Sequence, residues 1–204
     1  MKKLNFSKVQ TYYSENKSIL IPIIIAVSLI VLLIIVYIKS KNRPVNFAKR
    51  FIGQEETGGN KGFLNSYFEN LMEKAGWKPG NQWCAFFTKM VWMNTLKPKH
   101  RKAAQKIMTG STQLNLARFE KYGKGFFKIS DKPKKNALVI WQSLSDKSRG
   151  HTGIVTKVNN LTKDYKTIEG NSNKGGSPGI VAEHSYSKNG SPKGMKFKAF
   201  IIPV

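Results

Sequence analysis

The chain has 204 residues, of which 35 are Lys or Arg and 11 are Asp or Glu, so its formal net charge is +24. This length suits one globular domain beside a short N-terminal segment and gives no reason to expect a second domain. The only cysteine, Cys84, excludes an intrachain disulfide, and no zinc-finger pattern, P-loop or dinucleotide-binding glycine motif is present.

The N-terminal region contains an apolar stretch long enough to cross a membrane. Residues 1–18 predict a short basic tail, whereas residues 19–38 are twenty consecutive uncharged residues rich in Ile, Leu and Val. As a helix with Pro22 in its first turn, this stretch would span about 30 Å of hydrocarbon. A cleaved signal peptide is the alternative, but its apolar region would be shorter and followed by small residues, whereas Lys39 and Lys41 follow here. We therefore expect a single transmembrane helix.

The charges of the chain predict an anionic partner without identifying it. Basic residues flank the apolar stretch on both sides, so they do not decide its orientation in a membrane. Between Glu73 and Glu120 there are nine basic residues and no acidic one. An anionic lipid surface or an acidic wall polymer would be attracted by this positive charge. The alternative is a basic surface that is only solvated and binds no partner. We do not expect nucleic acid as the partner, because only the net charge suggests it.

The first half of the remaining chain has the periodicity of helices. Residues 39–44 predict a charged linker, and residues 45–204 predict the folded domain. The segment GWKPGNQWCAFFTKMVWMNTL predicts a mostly apolar helix with Asn81 as its N-cap, which places Cys84 in the first turn. Further helices are expected at residues 45–52, 63–74, 103–108 and 113–122.

The second half of the domain has the sequence pattern of β-strands. Short β-branched and aromatic runs alternate with Gly, Asn, Ser and Pro from Ala137 onward. Strands are expected at residues 137–142, 150–158, 165–170, 179–185 and 195–204. Helices followed by antiparallel strands predict an α+β domain in which the helices pack on one face of the sheet.

Cys84 and one histidine are the residues best suited to nucleophilic chemistry. A thiolate at a helix N-terminus is stabilised by unpaired backbone N–H groups, which can also bind an oxyanion. His151 begins the strand pattern GHTGIVTKV and is therefore the expected base. His100, within KPKHRK, is expected to be exposed and a poor base, and His184 is the fallback.

The string TIEGNSN supplies polar groups that could orient the imidazole. Glu169 and Asn171 are two residues apart, so in a regular strand they share a face. They would face His151 if the two strands pair as a hairpin through residues 159–164. Each feature alone is compatible with packing: a buried free cysteine often acts as a small apolar group. Together, in this chain order, they are what amide cleavage by a cysteine requires.

The strings FIGQEETGGNKG, PGNQWCAFFTKMVW, GHTGIV and TIEGNSN resemble the CHAP family, the cysteine, histidine-dependent amidohydrolases/peptidases of the papain-like superfamily. The resemblance covers residues 45–204. It implies a papain-like α+β fold, with Cys84 as nucleophile, His151 as general base and acid, Glu169 as the orienting group and Asn171 as a further polar member. It also nominates Glu56 and Asn60 near the cleft, and Gln82 for oxyanion support.

The same resemblance implies a function and a location. The substrate would be an amide bond of peptidoglycan, cut by an N-acetylmuramoyl-L-alanine amidase or an endopeptidase of bacterial or phage origin, without a metal or cofactor. The apolar helix would hold the chain in a membrane with the N-terminus inside and the domain facing the wall. A catalytically inactive, membrane-tethered cationic wall-binding module is the alternative. The basic segment 97–106 departs from the family pattern.

Overall fold

The computed structural model describes residues 6–174 and 177–204 and divides into an N-terminal helical unit and a folded unit, Arg43–Val204. Helix α1 spans Phe6–Lys41. Its segment Asn16–Tyr37 is long and apolar enough to cross a membrane or to be a signal sequence. The helix begins before the apolar stretch, so Pro22 lies inside it rather than in its first turn; helix is also present in most of the predicted tail. The first five residues of that tail lie outside the described residues.

In the described part of the folded unit, five helices precede or flank the sheet. Helix α2 follows α1 after a single residue, so the predicted linker is largely helical. The helix that carries Cys84 starts at that residue, with Trp83 and not Asn81 at the N-cap position. Trp83 makes no side-chain capping bond, which leaves the first N–H groups of the helix available. The bounds are α2 Arg43–Lys49, α3 Ser66–Lys74, α4 Cys84–Thr95, α5 Pro98–Ile107 and α6 Thr112–Tyr122.

Among the described residues, six strands form one antiparallel sheet in the order β1-β6-β2-β3-β4-β5. Their bounds are β1 Phe127–Ser130, β2 Leu138–Ser143, β3 Gly150–Val158, β4 Tyr165–Lys174, β5 Ser177–Tyr186 and β6 Met195–Pro203. Strands β2 to β5 form a meander, and β6 returns to pair between β1 and β2. The hairpin of β3 and β4 turns at residues 159–164 as expected. Strand β1 was not predicted, because its four residues follow a helix without a clear alternating pattern.

The helices cover one face of the sheet, and a smaller apolar cluster covers the other. Trp83, Phe87 and Trp92 of the α4 region pack with Ile154 and Ile168 from the sheet. The second cluster includes Val139, Trp141, Val155, Tyr165 and Phe200. The predicted α+β class, with helices packed on an antiparallel sheet, is confirmed.

His100 corrects one expectation from the sequence. It was expected to be exposed, but only 5% of its surface is accessible, and its Nε2–H donates a hydrogen bond to the backbone oxygen of Val204. The ring also makes edge contacts with Phe126 and Phe127. The neighbouring Lys99 and Arg101 remain exposed because α5 turns its polar face outward. His100 therefore ties α5 to the C-terminal residue.

Candidate active site

Cys84 is the first residue of α4, where the backbone favours negative charge. Its side chain is buried, at 6% exposure, and the N–H of Ala85 donates toward the sulfur. The chain passes from Trp83 into a helix without a side-chain cap, so the positive end of the helix dipole is directed at this position. The local backbone therefore provides the environment that stabilises a thiolate or an oxyanion.

His151 and Glu169 come together from adjacent strands. His151 is the second residue of β3, and Glu169 lies in β4. The Nε2–H of His151 donates to Oε2 of Glu169 across 2.9 Å, and both side chains are almost fully buried. The other ring nitrogen, Nδ1, is left for the hydrogen bond with the Cys84 sulfur. The structure thus places the three predicted residues in one hydrogen-bonded chain.

The three groups determine each other's protonation. Burial raises the pKa of Cys84, but the hydrogen bond and charge of His151, with smaller contributions from Thr112 and Ala85, outweigh it and lower that pKa below its usual value. Burial lowers the pKa of His151, but Cys84 and Glu169 together raise it to about 10. Burial raises the pKa of Glu169, but His151 and the Thr167 hydroxyl lower it overall. The favoured state is a thiolate beside an imidazolium.

Four further side chains contact Cys84, His151 or Glu169, and the sequence analysis did not identify them. Thr112 Oγ1, at the first residue of α6, lies 3.9 Å from the Cys84 sulfur. Trp141 is paired with His151 across β2 and β3, and the two rings stack with centroids 5.8 Å apart. Thr167 donates to Oε1 of Glu169, and Tyr186 forms a hydrogen bond with the same carboxylate. Only the N-cap Ser111 signalled that Thr112 starts a helix; its closeness to Cys84 depends on tertiary packing.

Two glycines provide the space in which the site assembles. A Cβ on Gly153 would lie 2.6 Å from Cγ of Glu169, so a side chain here would displace the carboxylate. A Cβ on Gly170 would lie 2.6 Å from the Trp83 ring and 2.7 Å from Phe87. The absence of these side chains lets α4 approach β4 closely and leaves room for Glu169 to reach His151.

Asn171 lines a cleft of about 550 Å³ together with His151 and Glu169. It does not follow Glu169 in a regular strand, because the β4–β5 register shifts between Glu169 and Ser172 and Asn171 has a φ of 53°. Asn171 and Glu169 therefore reach the same cleft through an irregular strand and not by the simple alternation that was expected. In the described part of the chain, no hydrogen bond joins the Asn171 side chain to His151 or Glu169.

His184, the fallback base, lies in the same cleft but has a different partner. Its Nε2 is 3.1 Å from Oγ of Ser172, and the Ser172 hydroxyl donates to the backbone oxygen of Ile180. No described hydrogen bond links His184 to Cys84. His151 is therefore the histidine that the fold brings to the thiol.

The three residues nominated for substrate or oxyanion contacts occupy different places. Glu56 accepts hydrogen bonds from Trp83 Nε1 at 2.7 Å and from the backbone N–H of Asn60 at 3.1 Å. It thereby holds Trp83, the residue that precedes Cys84. Asn60 has a φ of 62° and accepts from the Gly80 N–H through its backbone oxygen. Gln82 is exposed two residues before Cys84, on the chain that leads into α4.

The donor set of the site suits covalent catalysis by a thiolate. It offers one sulfur, one imidazole and one carboxylate. The imidazole and the carboxylate are hydrogen-bonded to each other and do not converge on a position for a metal ion. Within residues 6–174 and 177–204, no group of three or more His, Cys, Asp or Glu side chains is arranged to hold a metal ion. A nucleophile with its base and an orienting carboxylate is the arrangement used in acyl transfer.

The chain was compared with solved structures, curated proteins and family models. A structure of an N-acetylmuramoyl-L-alanine amidase from Staphylococcus aureus aligns with 17% identity and a TM-score of 0.42 over 62% of this chain. The chain covers 31% of that protein's length. No curated protein matches the chain.

The CHAP domain family model matches residues 74–171. These residues include the start of α4 with Cys84, the β3 strand with His151, and Glu169 and Asn171 of β4. Residues 74–171, just under half of the chain, are therefore similar to the CHAP domain family.

Proposed function

We propose that the chain is a membrane-anchored cysteine hydrolase that cleaves amide bonds in peptidoglycan. The observation that carries the proposal is the hydrogen-bonded chain from Cys84 through His151 to Glu169, in which the pKa of the thiol is lowered and that of the imidazole is raised. An inert buried thiol has no need of such a partner. The match of residues 74–171 to the CHAP domain family supports peptidoglycan as the substrate.

The reaction follows from the positions of the three side chains. The Cys84 thiolate attacks the carbonyl carbon of an amide, and the N–H groups at the start of α4 stabilise the oxyanion of the tetrahedral intermediate. The imidazolium of His151 then gives its proton to the leaving amine as the C–N bond breaks, leaving a thioester on Cys84. His151, now neutral, takes a proton from water, which attacks the thioester and releases the acid and the thiolate. Glu169 holds the ring in the orientation that both steps require.

The lining of the cleft beside the site suits a polar peptide. Its lining includes Asn171, Asn173 and Ser185 near His151, with Lys193 at another part of the wall. Amide and hydroxyl groups can bind the backbone of a peptide, and a lysine can bind a carboxylate of a stem peptide. Cleavage at the sugar–peptide amide and cleavage within the peptide both remain within the proposal, as do a bacterial and a phage origin.

The helix Phe6–Lys41 supplies the proposed membrane anchor. Its Asn16–Tyr37 segment matches the thickness of a bilayer, and a wall substrate requires the folded unit to lie on the wall side. The N-terminus would then lie inside the cell or the particle.

Dye release from labelled cell walls tests the hydrolase proposal directly. We expect the wild-type chain to release dye, and Cys84→Ala and His151→Ala to lose at least about a hundredfold in rate. Lys128→Ala, which removes an exposed charge on β1, should retain activity. Wild-type activity in either active-site variant would refute the assignment, and wall binding without any release by the wild type would favour the inactive binding module.

A further inference from the structure

Helices α5 and α6 enclose a second groove, of about 570 Å³, whose lining shares no residue with the cleft at His151. The three lysines of its lining lie in the basic segment 97–106, which departs from the CHAP pattern, and the proposed hydrolysis does not use the groove. Its walls combine positive charges with carbon surface. A groove of this composition is suited to a ligand that is both anionic and apolar.

Four cations surround the groove. Lys99, Lys102 and Lys106 are spaced by three and four residues on α5 and therefore share one side of the helix, and Arg118 faces them from α6. Within the described ranges 6–174 and 177–204, none of the four forms a salt bridge. Their positive field is therefore not neutralised within the described part of the protein.

Arg118 is held in place but keeps a donor free. Its Nη2 donates to the backbone oxygen of Lys106 at the end of α5, while its Nε is buried without a hydrogen-bond partner among the described residues. Burial lowers the pKa of the neighbouring Lys89, and the charge of Arg118 lowers it further. An arginine side chain is always charged, and the unpaired Nε–H leaves this guanidinium with an unsatisfied donor beside the groove, which suits an anion.

The remainder of the lining is apolar and partly open to solvent. Ala103 and Ile107 form the part on α5, and Tyr122 and Phe126, which are 54% and 36% exposed, form the opposite part. A poly(glycerol phosphate) or a nucleic acid would pair with the cations but leave this surface uncovered. An acyl chain would cover it and gain the free energy of removing apolar surface from water.

The closeness of the proposed anchor to the folded unit along the chain indicates a membrane lipid as this ligand. Only Asn42 separates the end of α1, at Lys41, from the start of α2, at Arg43. If α1 is the proposed anchor, the folded unit cannot move far from the surface of the bilayer, where anionic headgroups are concentrated.

We propose that the groove between α5 and α6 binds an anionic phospholipid, with the phosphate at Lys99, Lys102, Lys106 and Arg118 and an acyl chain against Ile107 and Phe126. This goes beyond the proposed hydrolysis and rests only on its membrane anchor. Lipid bound in this way would hold the domain close to the membrane, where newly made wall is within reach.

Photo-crosslinking of the full chain in nanodiscs tests the site. The probe is phosphatidylglycerol with a diazirine in its acyl chain, compared with phosphatidylcholine that carries the same group, and labelled peptides are located by mass spectrometry. We expect phosphatidylglycerol to label residues 98–126. The double variant Lys102→Gln/Lys106→Gln should lose about tenfold of this labelling, because each cation near an anionic surface contributes to binding. Lys196→Gln/Lys198→Gln, on exposed positions of β6, is the control with the same loss of charge.

The apolar wall distinguishes a lipid from a polymer. Tyr122→Ser keeps all four cations and should also lose labelling, because the acyl chain loses one of its contacts. Equal labelling by phosphatidylcholine, or full labelling in the lysine double variant, would overturn the proposal. So would undiminished labelling in Tyr122→Ser together with complete competition by soluble poly(glycerol phosphate), which would identify the groove as a polymer site. None of these measurements depends on wall hydrolysis, so they fail or succeed independently of the proposed enzyme activity.

Discussion

At the scale of residues, the site depends on a balance between burial and charge pairing. Burial alone would keep the Cys84 thiol protonated and the His151 ring neutral. Each is instead the strongest partner of the other, and Glu169 adds a fixed negative charge on the far side of the ring. Removing one member should therefore change the titration of the others, which a simple packing role would not do.

The pH dependence of Cys84 alkylation tests this coupling. As pH falls, the thiolate is protonated only when pH passes below its lowered pKa, so reaction with iodoacetamide should persist well below pH about 8.5, the usual thiol value. In His151→Ala the uncompensated burial should raise the pKa, and the midpoint should move above that value. Lys128→Ala should leave the profile unchanged. Identical profiles for wild type and His151→Ala would contradict the coupling.

Glu169→Gln tests the role of the carboxylate as a positioning residue. The amide oxygen can still accept the Nε2–H bond, but the negative charge that raises the His151 pKa is lost. We expect a roughly tenfold lower kcat and an alkaline limb of activity that shifts downward from its position near the His151 pKa of about 10. The measurement is the pH profile of kcat/KM. A lower rate with an unmoved alkaline limb would indicate only a structural role.

At the scale of elements, the sequence predicted the parts of the site that depend on local pattern. The apolar run after Trp83 predicted α4, and alternating residues predicted β3 with His151 near its start. The bulge at Asn171 was not predicted, because it depends on the pairing of β4 with β5. Thr112 and Trp141 were also missed, since they reach the site only through the packing of α6 and β2. Local periodicity carries no information on such long-range contacts.

Gly170→Ala tests the close approach of α4 to β4. The added methyl would meet Trp83 and Phe87 at less than 3.0 Å, so either the helix or the strand must shift. We expect a loss of about 1–3 kcal/mol in the free energy of unfolding, as for other overpacked cores. Thermal denaturation should show a Tm lower by about 2–4 °C per kcal/mol for a chain of this size. An unchanged Tm would show that the contact is loose.

At the scale of the whole molecule, the apolar helix and the excess of positive charge would contribute to localisation over different distances. The helix would fix the chain at a membrane, while a net charge of +24 would attract an anionic polymer or lipid over about a Debye length, roughly 8 Å at physiological salt. The hydrogen-bonded Cys84, His151 and Glu169 side chains, as thiolate, imidazolium and carboxylate, sum to one negative charge and are buried. In the proposed function, location and chemistry would therefore depend on separate parts of the protein.

Membrane extraction tests the anchor. We expect the full chain to remain in the membrane fraction after washing with alkaline carbonate and with high salt, because about twenty apolar residues in a bilayer do not depend on charge. A chain lacking residues 1–41 should appear in the soluble fraction. Release of the full chain by salt alone would indicate a peripheral protein, and loss of the N-terminal segment from the mature chain would indicate a signal sequence.

Mass spectrometry of the muropeptides released from purified cell walls tests the central claim most directly. The wild-type chain should produce fragments with one new amine and one new carboxyl group at a single type of amide bond, and Cys84→Ala should produce none. The position of that bond will identify the enzyme as an amidase or an endopeptidase. The same fragments from Cys84→Ala, or cleavage of a glycosidic bond by the wild type, would contradict a hydrolase that uses the Cys84 thiolate.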